Sequence, residues 1–224
     1  MEPMYPKATC SVETCIDMIK IDRSLIPKQE FCVAVSGGVD SIACLHLLSR
    51  IYKDKVSACH FNHNFQSTNA KMQEIVERFC DQHNIKLIVA KRQSDVKIKN
   101  NIEDHLRKQR IEFFCSLNKD VILCHHLNDA VESYLMNALK GCPEYLPIPI
   151  TTKFHNNNYK MIRPFLKTKK KEIESYINNN NLYNFVVEDP TNNDNKYRRN
   201  FIRNLILPSL DKFGLEKVVL KKFY

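Results

Sequence analysis

Short apolar runs alternate along this chain with longer segments in which apolar residues recur every three or four positions. Phe31–Val35, Lys55–Phe61, Ile85–Ala90 and Asp120–Cys124 have strand length and composition. Between and after them, Val39–Ile51, Thr68–His83, Asn101–Leu117 and Asp129–Lys140 carry the helical period. In the third of these, Ile102, Leu106, Phe113 and Leu117 form the apolar side. This alternation predicts an α/β fold, a doubly wound parallel sheet covered by helices on both faces. Ligands of such sheets bind beyond the carboxyl ends of the strands. The pattern breaks at Gly141–Pro149, which holds three prolines. A strand at Tyr159–Ile162, a helix from about Thr168 to Asn179, the turn-rich loop EDPTNND and a helix from about Arg198 to Leu210 then form a small helical C-terminal extension. Asn runs at 156–158 and 178–181 read as loop filler.

The 224 residues suit one α/β domain with a small appendage, and 43% hydrophobic content supplies a core. No stretch is apolar enough to span a membrane, and MEPMYPKATC does not read as a secretory signal. Nine cysteines, with Cys32, Cys44, Cys59 and Cys124 inside apolar runs, suit buried thiols in a reducing compartment. No C-x-x-C pair is present, which argues against zinc ribbons and the common iron–sulfur spacings. A cytoplasmic location is expected, with an organelle stroma or matrix as the variant. Charge changes the picture further. From Lys160 to Tyr224, fourteen Lys or Arg face seven Asp or Glu, so most of the net +9 lies in the last third. Such an excess suits a polyanionic partner such as nucleic acid, or a solvated basic surface.

The stretch most charged with chemistry is SGGVDS, Ser36, Gly37, Gly38, Val39, Asp40 and Ser41, directly after the first strand. Glycines let the backbone turn sharply and approach a ligand, and the following helix offers free N–H groups to an anion. The spacing is neither that of a Walker loop nor that of a dinucleotide fingerprint. A carboxylate in a phosphate cradle repels its ligand unless a cation intervenes, so Asp40 reads as a Mg2+ contact for a triphosphate. An ordinary tight turn with a helix cap is the alternative.

Strand–SGGxDS–helix resembles the pyrophosphatase-loop family of N-type ATP pyrophosphatases, whose fold is that of the adenine nucleotide alpha hydrolases. Five further stretches resemble the tRNA(Ile)-lysidine synthetase branch of that family. HFNHNFQSTNA (60–70) resembles its H-x-x-H segment, placing His60 near the nucleotide. NIEDHLRKQRIEFF (101–114) resembles its I-E-x-x-A-R-x-x-R helix, with Glu103, Arg107 and Arg110 on one face. CHHLNDAVESYLMNALKG (124–141) resembles its H-x-x-D-x-x-E run, with Asp129 and Glu132 one turn apart. By itself D-x-x-E also reads as a capping box. MIRPFL with KKKEIESYI, and EDPTNND…YRRNFIR…LP, resemble its C-terminal motifs.

The resemblance covers about residues 28 to 210 and implies the following. Residues 28–150 form the ATP-binding domain, and 151–224 form a basic part of the catalytic core facing tRNA. ATP is held by Ser36–Ser41 and His60, and Mg2+ by Asp40 and Asp129. Asp40, Arg107, Arg110, Asp129 and Glu132 are catalytic. Arg163, Lys169, Lys170, Lys171, Arg198, Arg199 and Arg203 contact tRNA phosphates. The partners are an isoleucine tRNA with a wobble cytidine and free L-lysine, with a homodimer left open. Alternatives are a cytidine thiolase, which wants paired cysteines, or a non-catalytic nucleotide- or tRNA-binding homologue. Departures from the pattern are Asn128 in place of an Asp, Ala130 in place of a Gln, and CPEYLPIPI after Gly141. Many members continue into further domains, so a short form with an altered grip on tRNA is expected.

Overall fold

The computed structural model describes residues 19–64, 67–92, 102–155, 158–188, 192 and 194–224. Six strands form one sheet: β1 (Phe31–Ala34), β2 (Val56–Asn62), β3 (Lys86–Lys91), β4 (Asp120–Ile122), β5 (Thr151–Lys153) and β6 (Lys160–Ile162). Their order is β3-β2-β1-β4-β6-β5, parallel except for the antiparallel edge pair β5–β6. Phe31, Cys32, Val33, Val121 and Ile122 are fully buried, as a central strand covered on both faces requires.

Helices α1 (Val39–Tyr52), α2 (Ser67–Gln82), α3 (Ile102–Ser116), α4 (Leu127–Ala138) and α5 (Lys170–Asn179) follow the strands. One face of the sheet packs against α1, α2 and α5 through Ile42, Leu45, Val76, Phe79, Ile173 and Tyr176. The other packs against α3 through Cys32, Cys59, Phe114, Val121 and Met161. The run Ser41–Leu48 of α1 is buried throughout, because α5 covers the side the sheet leaves open. His46 on α1 and Tyr176 on α5 share a 2.8 Å hydrogen bond in this interior. Burial holds the His46 imidazole at about 3, so it is neutral there.

The last elements are α6 (Arg198–Phe201), a π-helical segment at Ile202–Ile206, α7 (Leu207–Leu210) and α8 (Leu215–Phe223). A single helix was expected over 198–210, and the π turn interrupts it. Helix α8 folds back on α4, joining Val219 and Leu215 to Val131, Ile148 and Leu166 in a separate apolar cluster. Tyr224 ties down the proline-rich loop, its hydroxyl donating to Ile148 O at 2.8 Å and accepting from Ile148 N at 3.2 Å.

The alternation read from the sequence is the observed architecture, with boundaries shifted by one or two residues. Two features differ besides the π turn. Strand β5 was not expected, since Thr-Thr-Lys is a short edge strand without apolar alternation. The division expected at residue 150 also does not coincide with an edge of the fold, because β5 and β6 complete the same sheet. Among the described residues no helix is long and apolar enough to cross a membrane.

The chain runs from β1 outward to β2 and β3, then returns to pair β4 against the other side of β1. The point where the order reverses, between β1 and β4, opens a crevice at their carboxyl ends. Residues 35–41 and 123–129 are thereby brought to one place.

The buried His46–Tyr176 contact gives a test of the α1–α5 seam. Tyr176→Phe leaves a buried imidazole short of a partner and is expected to cost about 1–3 kcal/mol. Urea unfolding reads this as a lower midpoint with an unchanged slope; an unchanged midpoint would show that the hydroxyl contributes nothing.

Candidate active site

Ser36–Ser41 crosses from β1 to α1 as a tight, self-bonded loop. Gly37 has φ +91°, and a Cβ there would stand 3.2 Å from Met72 O, so both backbone angle and space require glycine. Its carbonyl accepts from Val187 N at 2.9 Å, which ties the loop to the segment leading to 188–194. The Ser41 hydroxyl accepts from Ser36 N at 3.1 Å and donates to Gly38 O at 3.0 Å, closing the turn. Gly38 precedes the first turn of α1, whose leading N–H groups lack intrahelical partners and favour an anion.

Above this loop lies a cleft of about 530 Å³ lined by Val35, Ser36, Gly38, Asp40, Ser41, His60, His63, Arg110, His125, Asp129, Arg199 and Arg203. His60 Nδ1–H donates to Val35 O at 2.7 Å, which leaves Nε2 as an acceptor. That atom, His63 Nδ1 and His125 Nδ1 are buried without a hydrogen-bond partner among the described residues. Burial lowers His63 to about 4, helped by Arg110. It also lowers His125 to about 4, against the pull of Asp129. The cleft thus presents neutral imidazoles with open nitrogens, the kind of group that reads a base or a hydroxyl.

A cluster of carboxylates and cations forms the far wall. His126 caps α4, its N–H donating to Asp129 Oδ2 at 3.0 Å. Half of a capping box is therefore present, but between His126 and Asp129; Glu132 takes no part in it. His126 Nε2 stands 3.5 Å from both Asp129 Oδ2 and Asp40 Oδ1, so the two carboxylates converge on one ring nitrogen. Lys170 Nζ reaches Asp40 Oδ1 at 2.6 Å. Glu132, 1% exposed, is gripped by Arg199 Nε at 2.8 Å and by Arg203 Nε at 2.6 Å and Nη2 at 3.0 Å. Both guanidiniums also reach Asp129 Oδ1, at 3.3 and 3.4 Å.

Burial raises the pKa of Asp40, but His126 and Lys170 more than offset it and hold the carboxyl well below its usual range. Asp129 is held low in the same way, burial being outweighed by His126, His125 and Arg199. His126 moves upward: burial opposes its charge, and Asp129 and Asp40 prevail.

The structure separates the residues that sequence placed together. Arg110 lines the cleft, while Arg107, on the same helix, is exposed outside it. The side chain of Glu103, residues 65–66, and 189–191 and 193 of EDPTNND lie outside the described residues. Arg163, expected on tRNA, is buried, and its Nη1 donates to Pro149 O at 2.9 Å and Thr152 Oγ1 at 3.0 Å. It therefore holds the proline-rich loop to β5 and offers no surface to a phosphate. Lys169 pairs with Glu216 at 2.8 Å. Lys170, Arg199 and Arg203 belong to the carboxylate cluster, whereas Arg198 and Lys171 face outward. Sequence reasoning missed His126, although it adjoins the D-x-x-E run, and missed Glu216 and the rest of α8 altogether.

A PP-loop domain model of the ATP-binding type matches residues 11–210. The chain belongs to the PP-loop family. Its curated relatives include the tRNA(Ile)-lysidine synthases of Staphylococcus aureus, 34% identical over 83% of this chain, and of Buchnera aphidicola, 34% over 87%. The one from Mesoplasma florum is 35% identical over 77%. This chain spans about 45% of the length of these relatives. Among solved structures, the U34-tRNA thiolase NcsA from Methanococcus maripaludis superposes with TM-score 0.71 over 95% of this chain and 76% of its own, at 17% identity. An NH3-dependent NAD synthetase from Campylobacter jejuni does so with TM-score 0.52 over 95% and 91%, at 15% identity. At such identities the likeness is one of fold.

Within this PP-loop frame Asn128 has a definite task. Its Nδ2 donates to Glu216 at 3.1 Å and its Oδ1 accepts the first N–H of α5, from Lys170, at 3.0 Å. It braces α4 to both α5 and α8. Asn128→Ala is expected to cost about 0.5–2 kcal/mol, as loss of a helix cap does. Asn128→Asp keeps the acceptor but sets a second carboxylate against Glu216, so it too is expected to lower the melting temperature. A variant more stable than the parent would overturn this account.

The shifts at His126 set a pH dependence. Its raised value makes its ion pairs fully present below its ordinary value of 6.5 and lost as pH rises through the folded value. Because Asp40 and Asp129 are held low, the same pairs survive acid until those carboxylates protonate. Denaturant unfolding of the parent and of His126→Asn across this range is expected to show a stability gap that narrows on the alkaline side. A gap independent of pH would mean that the ring packs without charge.

Proposed function

We propose that this chain carries the chemistry of a tRNA(Ile)-lysidine synthase, joining lysine to the wobble cytidine of an isoleucine tRNA at the expense of ATP. The observation that supports it most is the convergence of Asp40, at the phosphate loop, with Asp129 and Glu132, at the start of α4. Reading the chain this way, ATP lies in the 530 Å³ cleft with its phosphates on Ser36–Ser41 and its base toward His60.

A bound Mg2+ fits the donors present. Asp40 and Asp129 would offer it hard oxygen ligands in place of the His126 ring nitrogen on which they converge, with its remaining ligands from phosphates and water. When bound it would neutralise the triphosphate and the leaving pyrophosphate. The carbonyl oxygen at C2 of the cytidine attacks the α-phosphorus, and the bond to the bridging oxygen breaks with release of pyrophosphate. The ε-amine of lysine, having lost a proton, then attacks C2, and AMP departs with the oxygen. Arg110, on the cleft wall, stabilises charge on the leaving groups. Asp129 and Glu132, at the wall between the two clefts, are assigned the handling of the amine's proton.

A second cleft of about 450 Å³ opens on the other side of Asp40, between α4, α5 and α8. Val131, Leu207, Leu210 and Leu215 give it apolar walls, and Asp40, Glu132 and Glu216 face it already paired with Lys170, Arg203 and Lys169. An aliphatic stem ending in an ammonium group fits that make-up by displacing one of these resident cations, and free lysine is assigned to it on that basis. Lys171 and Arg198, both exposed, are kept as contacts to tRNA phosphates, and Arg107, expected from the sequence to be catalytic, is exposed and reassigned to that role. The target base is unstacked to enter the cleft, as chemistry on loop bases requires.

The test is release of AMP from ATP with total bacterial tRNA and labelled lysine. The expected result is AMP release dependent on both, with label transferred to RNA. AMP release indifferent to lysine would point to another modification. In the same assay Asp40→Asn is expected to lose pyrophosphate release nearly completely while remaining folded; wild-type turnover in that variant would overturn the placement of the phosphates.

A further inference from the structure

Three consecutive lysines open α5, and the structure gives them different tasks. Lys169 pairs with Glu216 across to α8, and Lys171 faces outward. Lys170 points the other way, along the wall of the second cleft to Asp40 at the phosphate loop. Its ammonium stands 2.6 Å from Asp40 Oδ1, with the lysine and aspartate side chains 30% and 34% exposed. Its backbone is fixed as well, since its N–H is held by Asn128 Oδ1 at 3.0 Å. The residue enters the site from a braced helix terminus.

Electrostatics explains the position. Asp129 and Glu132 are already matched by Arg199 and Arg203. Among the described residues Asp40 pairs with Lys170 and the shared ring of His126. Asp40 is also the second residue of α1, next to the N–H groups that face the cleft. The ammonium bonded to it lines the second cleft, so it reaches a phosphate on that loop past Asp40, by one swing of a flexible side chain. A divalent cation arriving with the triphosphate requires the same carboxylate oxygen, and Asp40 cannot offer it to both.

We propose that Lys170 is a nucleotide-site residue that exchanges partners: its ammonium neutralises Asp40 before ATP binds and moves to the β- and γ-phosphates when the divalent cation takes Asp40. The exchange keeps one positive charge beside Asp40 at every stage and delivers a second to the leaving pyrophosphate. Lysine suits this better than arginine, as a compact point charge on a mobile stem with no demand for two parallel bonds. The proposal rests on the seat of ATP at Ser36–Ser41 and is independent of lysine or tRNA chemistry.

The test uses the full chain and ATP carrying a methylene between the α- and β-phosphorus. Lys170→Met keeps the stem without charge, Lys170→Gln keeps a hydrogen-bond donor for Asp40, and Lys167→Met is the surface control. With EDTA present, Met and Gln variants are expected to bind the analogue about tenfold or more weakly, and the control to bind it as the parent does. The Mg2+ concentration at half-maximal analogue binding is expected to fall in both, because the competitor for Asp40 is gone. The salt dependence of tRNA binding is expected to keep its slope. Parent-like analogue affinity and an unmoved Mg2+ midpoint in the Gln variant would overturn the proposal. So would a log–log salt slope reduced by about 0.7–0.9, the signature of one lost RNA phosphate contact. If the chain binds the analogue as expected yet ignores lysine, the lysidine reading fails and the exchange stands.

Discussion

Glu132 keeps a carboxylate almost completely out of water, with Asp129 largely buried and Asp40 half-buried beside it. An isolated buried carboxylate is costly enough that it normally neutralises instead of persisting. Here the charge persists because cations reach it from elsewhere in the chain. Arg199 and Arg203 come from the last third, separated from Glu132 by 67 and 71 residues. Lys170 comes from the start of α5, 130 residues from Asp40. The sheet builds a rim of negative charge at the switch point between β1 and β4, and that rim is tenable only with the C-terminal elements docked over it.

That requirement shapes the local structure of those elements. Arg199 and Arg203 are four residues apart, and the helix bearing them changes to π winding at Ile202. Wider winding shifts the register between successive turns, and π segments occur often at functional sites for this reason. Both guanidiniums then meet the same two carboxylates. Helix α8 in turn holds Asn128 and Lys169 through Glu216, so the first turn of α5 is anchored on two sides. Part of the positive charge of the last third is thus internal, matched to carboxylates of the first two thirds through Lys170, Arg199 and Arg203, while Lys171, Lys196, Arg198, Lys212, Lys217, Lys221 and Lys222 are exposed.

This explains what could be read from the sequence and what could not. The sheet, the phosphate loop and the start of α4 follow from local signals: an apolar run, glycines where φ is positive, a helical period. Asp40, Asp129 and Glu132 were legible for the same reason, as short motifs at element ends. The partners of these carboxylates were not, because a basic residue in a motif carries no mark of which way it faces. Arg163, Lys170, Arg199 and Arg203 all looked like phosphate contacts when judged by charge. One is buried against a proline-rich loop, and three are bound to carboxylates far away in sequence. Strand β5 escaped for a different reason: three polar residues at an edge pair by backbone alone and leave no pattern of side chains.

The same charged wall also divides space. Asp40 and Arg203 line both clefts, with Glu132 on one side and Asp129 on the other. A nucleotide and a second reactant approaching from opposite sides would meet at a partition made of side chains, not of backbone. Every charge in that partition has a partner of opposite sign, so an incoming ammonium or divalent cation must displace a resident cation to bind. Displacement is nearly balanced in charge, which keeps the buried carboxylates compensated throughout. It also releases an arginine or lysine next to the new ligand, where its charge can act on phosphate oxygens. Cations that stabilise the unliganded fold and cations that assist phosphate chemistry can in this way be the same side chains.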